Sequence, residues 1–93
     1  MNWISDIQRA IDYIEANLPA SVDADEVANH IHTSSDYFGK LFIIVTGLTV
    51  SQYIRNRKLT LAAVELLNPK NKVIDVAAKY GYESPESFTK AFA

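Results

Sequence analysis

Ninety-three residues, 48% of them apolar, suit one small domain or two very small subdomains. No apolar run approaches the eighteen or so residues of a membrane span, and the N-terminus lacks the basic-then-apolar order of a secretory signal. Zero cysteines exclude disulfides, thiolate catalysis and cysteine metal sites and fit a cytoplasmic setting, while a net charge of −2 is unlike the basic excess usual in nucleic-acid binders.

The periodicity predicts an all-helical chain. Ile4, Ile7, Ile11, Ile14 and Leu18 follow the 3-and-4 spacing of one buried stripe, giving a first helix over about residues 3–18, stopped by Pro19. A second helix covers about 24–31, with Asp23 as N-cap and Glu26 as its capping-box partner. The third covers about 35–45, capped by Ser34 and closed near Gly47. The fourth opens on the capping-box pair Thr49 and Gln52 and runs about 50–67, until Asn68-Pro69 ends it. Its second half is apolar nearly all round, which predicts burial on every side between two units and a share in both cores. A fifth helix covers about 73–80 and ends at Gly81. The sixth starts with Ser84 as cap and Pro85 at its first position, and is expected still to be running at Ala93.

Two stretches repeat one another. Val27, Ala28, Ser34, Phe38, Lys40 and Phe42 return as Val76, Ala77, Ser84, Phe88, Lys90 and Phe92. The offset is 49 before the turn and 50 after it, so the second turn carries one extra residue. Each copy reads as a short helix, a tight turn and a second short helix. That is a helix-turn-helix, whose second helix can lie in the DNA major groove. Val27, Ala28, Ile31, Phe38, Leu41 and Phe42 would form the inner face of the first unit, and Val73, Val76, Ala77, Tyr80, Phe88 and Phe92 that of the second. The division expected is a first helix-turn-helix subdomain over 1–48, a central helix over 49–68 and a second, truncated subdomain over 69–93. Eighteen residues of central helix span about 27 Å, comparable with the ~34 Å between successive major-groove faces.

Charge follows this division. Residues 1–36 carry one Arg against seven Asp/Glu, a balance of −6, whereas residues 37–93 carry eight Lys/Arg against four Asp/Glu, a balance of +4. The outward face of the third helix would present Ser35, Asp36, Gly39, Lys40 and Ile43 to bases. That of the sixth would present Pro85, Glu86, Ser87, Thr89 and Lys90. Lys donates to guanine or phosphate, hydroxyls serve either, and Asp36 and Glu86 can accept from cytosine N4 or cap their own helices. Arg55, Arg57 and Lys58 are candidate phosphate contacts, joined by Ser34 and Ser84 at the helix N-termini. His30 and His32 have no companions at metal-ligand spacing, so neither metal nor cofactor is expected. With no phosphate loop, nucleophile elbow or paired carboxylates, an enzyme has little support.

With these residues in place the chain resembles the DNA-binding domain of the AraC/XylS family of bacterial transcription regulators, from about Ile7 to Phe92. The similarity rests on the doubled unit, on Tyr53-Ile54-Arg55-Asn56-Arg57-Lys58-Leu59 with Ala62 and Leu66-Leu67, and on Tyr80-Gly81-Tyr82-Glu83-Ser84 followed by Phe88-Thr89-Lys90-Ala91-Phe92. The resemblance implies two homeodomain-like helix-turn-helix subdomains joined by a long central helix. It also implies recognition helices in adjacent major-groove segments, contact with RNA polymerase, and base reading by Asp36, Gly39, Lys40, Glu86, Ser87, Thr89 and Lys90. Gly39 stands where the family often has a long polar residue, and Ile43 and Ala93 where it commonly has Lys. The family's closing Gly-x-x-Pro segment and C-terminal helix do not follow Phe92, so a fragment is expected, with an effector domain downstream. Lack of Cys separates the chain from the family's alkyl-acceptor repair branch. The rival expectation, motivated by net acidity, Gly39 and the two acidic face residues, is a helical protein-interaction module with little DNA affinity.

Overall fold

The computed structural model describes residues 2–20 and 22–92. Among these the chain forms six helices and no strand: α1 (Trp3–Asn17), α2 (Ala24–His30), α3 (Ser35–Thr46), α4 (Val50–Leu66), α5 (Val73–Lys79) and α6 (Pro85–Ala91). No single helix is long and apolar enough to cross a membrane.

Most helix starts are set by side chains that accept otherwise unpaired N–H groups. The Glu26 N–H donates to Asp23 at 2.8 Å and the Tyr37 N–H to Ser34 at 3.1 Å. Both halves of the box at α4 are formed, Gln52 N–H to Thr49 Oγ1 at 3.1 Å and Thr49 N–H to Gln52 Oε1 at 2.9 Å. Asn2 caps α1 by accepting from Ile4 and Ser5, a start signal the sequence reading did not use. Gly47 closes α3 at φ 80°, a left-handed position where glycine avoids the Cβ clash.

The chain divides into two compact units, one up to Ile54 and one from Arg55 on, so their boundary falls inside α4. In the first unit Ile7, Ala10 and Ile14 of α1, Val27 and Ala28 of α2 with Ile31 after it, Phe38 and Phe42 of α3, and Val50 and Ile54 of α4 make one buried cluster. The stripe on α1 therefore runs through 7, 10 and 14, where small Ala10 lets the helices approach. Ile4 is 61% exposed, because the core begins one turn later than the spacing implied. Asp6 is buried, and its Oδ2 has no partner among the described residues. Its Oδ1 lies 3.7 Å from Arg9, and its place in the first turn of α1 lets the helix's free N–H groups favour the negative charge.

In the second unit Leu59 and Ala62 of α4, Val76 and Ala77 of α5, Tyr80 and Phe88 form a smaller cluster. Thus α4 feeds both cores, but its second half is not covered all round. Val64 is exposed and Leu67 is 81% exposed. Two short helices can cover only one face of it. Val73 and Phe92, expected on the inner face, are about half exposed for the same reason, although Phe92 keeps an edge contact with Phe88 at 5.0 Å. The last helix stops at Ala91, with Phe92 as its C-cap, rather than running on. Ala93 lies outside the described residues.

Candidate nucleic-acid interface

The two turns are built by the same three backbone bonds. After α2, the N–H groups of Ile31, His32 and Thr33 donate to the carbonyls of Val27, Asn29 and Ala28. Past α5, those of Tyr80, Gly81 and Tyr82 donate to Val76, Ala78 and Ala77. Every donor and acceptor is displaced by 49, so the repeat read in the sequence is a repeat of conformation. The left-handed residue is His32 in the first turn, φ 59°, and Gly81 in the second, φ 87°. Glu83 is the extra residue, inserted before the second cap, and the caps themselves realign as Ser34 and Ser84.

Each turn leads into an outward-facing helix. On α3, Asp36, Gly39, Lys40 and Ile43 share one side through their 3- and 4-residue spacing. With Ser35 they border a shallow depression of about 300 Å³. Thr49 and Ser51, at the start of α4, border it too; the sequence reading used Thr49 only as a cap and did not single out Ser51. Lys40 donates to Asp36 at 3.2 Å, and both side chains are largely exposed. Such a surface pair is weak and easily exchanged for a phosphate or a base.

On α6, Glu86, Ser87, Thr89 and Lys90 are all exposed, as expected of a reading face. Their hydroxyls are partly committed. Ser87 Oγ accepts the Ser84 N–H and donates to the Ser84 carbonyl, while Ser84 Oγ accepts the Ser87 N–H. This is the reciprocal cap that holds a seven-residue helix. Thr89 Oγ1 donates back to the Pro85 carbonyl at 2.8 Å, leaving it acceptor capacity only. Lys90 has no ion-pair partner among the described residues.

The cations of α4 are less uniform than the spacing implied. Arg55 is exposed and donates one N–H to the Ala91 carbonyl at 3.2 Å, at the C-terminal end of α6, leaving other donors outward. Arg57 and Lys58 are half-buried, and Arg57 is engaged with the protein.

A second polar cluster, missed from the sequence, fixes α5 against α4. Lys79 Nζ donates to both Glu65 oxygens at 3.0 Å, and the Tyr80 hydroxyl donates to Glu65 Oε2. Asn71 Nδ2 donates to the Glu65 carbonyl at 2.7 Å. The Tyr80 hydroxyl, then the Lys79 ammonium, holds the Glu65 carboxyl below its ordinary range. Burial, then the Glu65 carboxylate, pushes the Tyr80 phenol up to about 12. The only hint in the sequence was a Glu at 65 within an apolar run.

Among the described residues no group of three or more His, Asp or Glu side chains is placed to hold a metal ion. The His30 ring stacks on Tyr13 at 4.1 Å.

A family model described as a helix-turn-helix domain matches residues 27–93. The chain is 44% identical over 86 residues to the transposon Tn10 TetD protein of Escherichia coli, covering 92% of this chain and 62% of TetD. It is 36% identical to the regulatory protein SoxS of Salmonella typhimurium, covering 92% of this chain and 80% of SoxS. To the transcriptional activator AarP of Providencia stuartii it is 34% identical, covering 64% of that protein. Among solved structures, a transcriptional regulator from Chromobacterium violaceum with an AraC-type DNA-binding domain superposes with a TM-score of 0.88 at 20% identity, over 95% of this chain and 79% of that one. That last likeness speaks for the fold.

Proposed function

The chain belongs to the AraC/XylS family of helix-turn-helix transcription regulators, and from that premise we propose that its two reading heads bind two successive major-groove segments of promoter DNA. The observation that carries this is the repeated turn: equivalent backbone bonds at an offset of 49 deliver exposed Lys40 and Lys90 from the same position of the second helix in each unit.

In this reading Asp36, Gly39, Lys40 and Ser35 of α3, and Glu86, Ser87, Thr89 and Lys90 of α6, face base edges. Lysine donates to guanine O6/N7, the Ser87 and Thr89 hydroxyls accept from base amino groups, and the Ser35 hydroxyl serves base or phosphate. Arg55, Arg57, Lys58, Ser34 and Ser84 position the protein on phosphates without reading sequence. The role is binding rather than catalysis, exercised in the cytoplasm on nucleoid DNA. The chain spans less than two thirds of TetD, so a further effector domain and a contact with RNA polymerase belong to the same proposal.

Titration of the 93-residue chain with promoter DNA at several salt concentrations tests it. A specific complex weakens with a log–log slope of about −0.9 per phosphate neutralised, and its footprint shows two protected stretches one helical turn apart. A flat salt response returns the chain to the rival reading as a protein-interaction module. Lys90→Ala is expected to cost more affinity on the selected site than on random DNA, whereas Lys58→Ala costs both alike.

A further inference from the structure

Gly39 has no structural justification within its own protein. It lies in the interior of a twelve-residue helix, where glycine is disfavoured. The positive-φ glycines are Gly47 and Gly81, so its backbone conformation does not ask for glycine. A Cβ built there meets nothing within 4 Å, so packing does not ask for it either. Its partner at i+4, Ile43, is a large apolar side chain 47% exposed on a face otherwise made of polar residues. Helical side chains lean toward the N-terminus, so Ile43 stands beside the turn that holds Gly39, which it leaves open. Gly39 therefore gives a bare floor, and Ile43, with Ala24 and Val50, gives apolar walls to the depression that Lys40 and Ser51 also border.

We propose that this recess reads the C5-methyl of a pyrimidine in the major groove. The inference rests on the DNA-binding role proposed above. Of the groups that base pairs present in that groove, the C5-methyl is the apolar one, and the rest are hydrogen-bond donors and acceptors. Ile43 offers nothing to a donor or an acceptor but excludes water around a methyl. Missing Gly39 side-chain atoms let α3 approach closely enough for that contact. Lys40, released from Asp36, then reaches an acceptor on a neighbouring base. Thymine supplies the methyl in ordinary DNA, and 5-methylcytosine carries the same group.

The test begins with duplexes selected from a random library by the 93-residue chain. Each thymine is then replaced singly by deoxyuridine, which removes the methyl and leaves the pairing edge intact. One position is expected to lose about four-fold in affinity, the worth of one buried methyl. Ile43→Ala flattens the response at that position and leaves other positions unchanged. Gly39→Leu, which fills the recess, weakens the selected site while its melting temperature holds or rises, showing that the loss is not misfolding. Changing the same thymine to cytosine lowers affinity, and 5-methylcytosine recovers part of it if the methyl itself is read. Indifference of every position to deoxyuridine, or a response that survives in Ile43→Ala, overturns the proposal while leaving DNA binding standing. Failure to bind any duplex in a salt-dependent way overturns the DNA-binding role instead.

Discussion

The two helix-turn-helix units share a turn and differ in how a third helix is held against it. In the first, α1 docks through apolar contacts, with Ile7, Ala10 and Ile14 against Val27, Ala28 and Ile31 and His30 stacked on Tyr13. The second unit uses the latter half of α4, and there Lys79 and Tyr80 stand where His30 and Ile31 stand in the first. Those two replacements close on Glu65. The smaller unit, with six buried core residues, adds charge-assisted hydrogen bonds where the larger one relies on buried area. The contrast makes the second unit the more sensitive to single changes and to pH.

The severest test of that contrast is removal of an aromatic anchor. Phe88→Ala is expected to cost about 3–5 kcal/mol, enough to unfold the second unit. Amide exchange would then lose protection beyond Arg55 and keep it in the core of α1, α2 and α3. Uniform loss across both units would show that they do not fold separately. Next comes the polar lock. Tyr80→Phe is expected to cost about 1–2 kcal/mol, because a hydrogen bond to a charged partner is lost, and the effect should be confined to the second unit.

The same lock gives a pH signature. Glu65 has a lowered pKa in the fold, so its contribution is in place above pH 4.5 and is lost as pH falls through the folded value. Tyr80 has a raised one, so its contribution is complete below pH 10 and is lost as pH rises from 10 toward 12. Thermal melts followed by second-unit amides should narrow at both ends, and Glu65→Gln should remove the acid-side dependence.

A smaller and opposite pair of effects separates the turns. Gly81→Ala forces a side chain into a left-handed position and should cost about 1 kcal/mol, whereas His32→Gly should stabilise the first unit by a comparable amount. Equal responses would mean that local strain is not what distinguishes them. Smallest of all, Asp36→Asn frees Lys40 and removes a negative charge from the reading face. It should tighten DNA binding by about two- to five-fold, measured by the same salt titration. Weaker binding would instead show that the Asp36 carboxylate, among the bases it faces, accepts a hydrogen bond from one of them.

Much of this was legible before the structure. Helix starts lie within a residue of Asp23, Ser34, Thr49 and Ser84 because capping is a local bargain between a side chain and a backbone three residues on. The doubled motif was legible for the same reason, since the turn needs a left-handed residue and small side chains at fixed places. Exposure was less so. Ile4, Val73 and Phe92 match the core period as well as Ile7, Val76 and Phe88 do, yet stand outside. Periodicity says which residues share a face, and not how far a neighbouring helix extends over it. The lock at Glu65 was hidden because its partners lie fourteen and fifteen residues away, at the end of another helix.

Local chemistry within a few residues settled the helices, their caps, both turns and the candidate reading faces, and the family likeness followed from those. Which apolar side chains found cover, which hydroxyls were spent on their own backbone, and which carboxylate came to hold two helices together were decided only when distant segments packed. Those outcomes depend on separations across the fold, and nothing in the order of residues along the chain encodes such a separation directly.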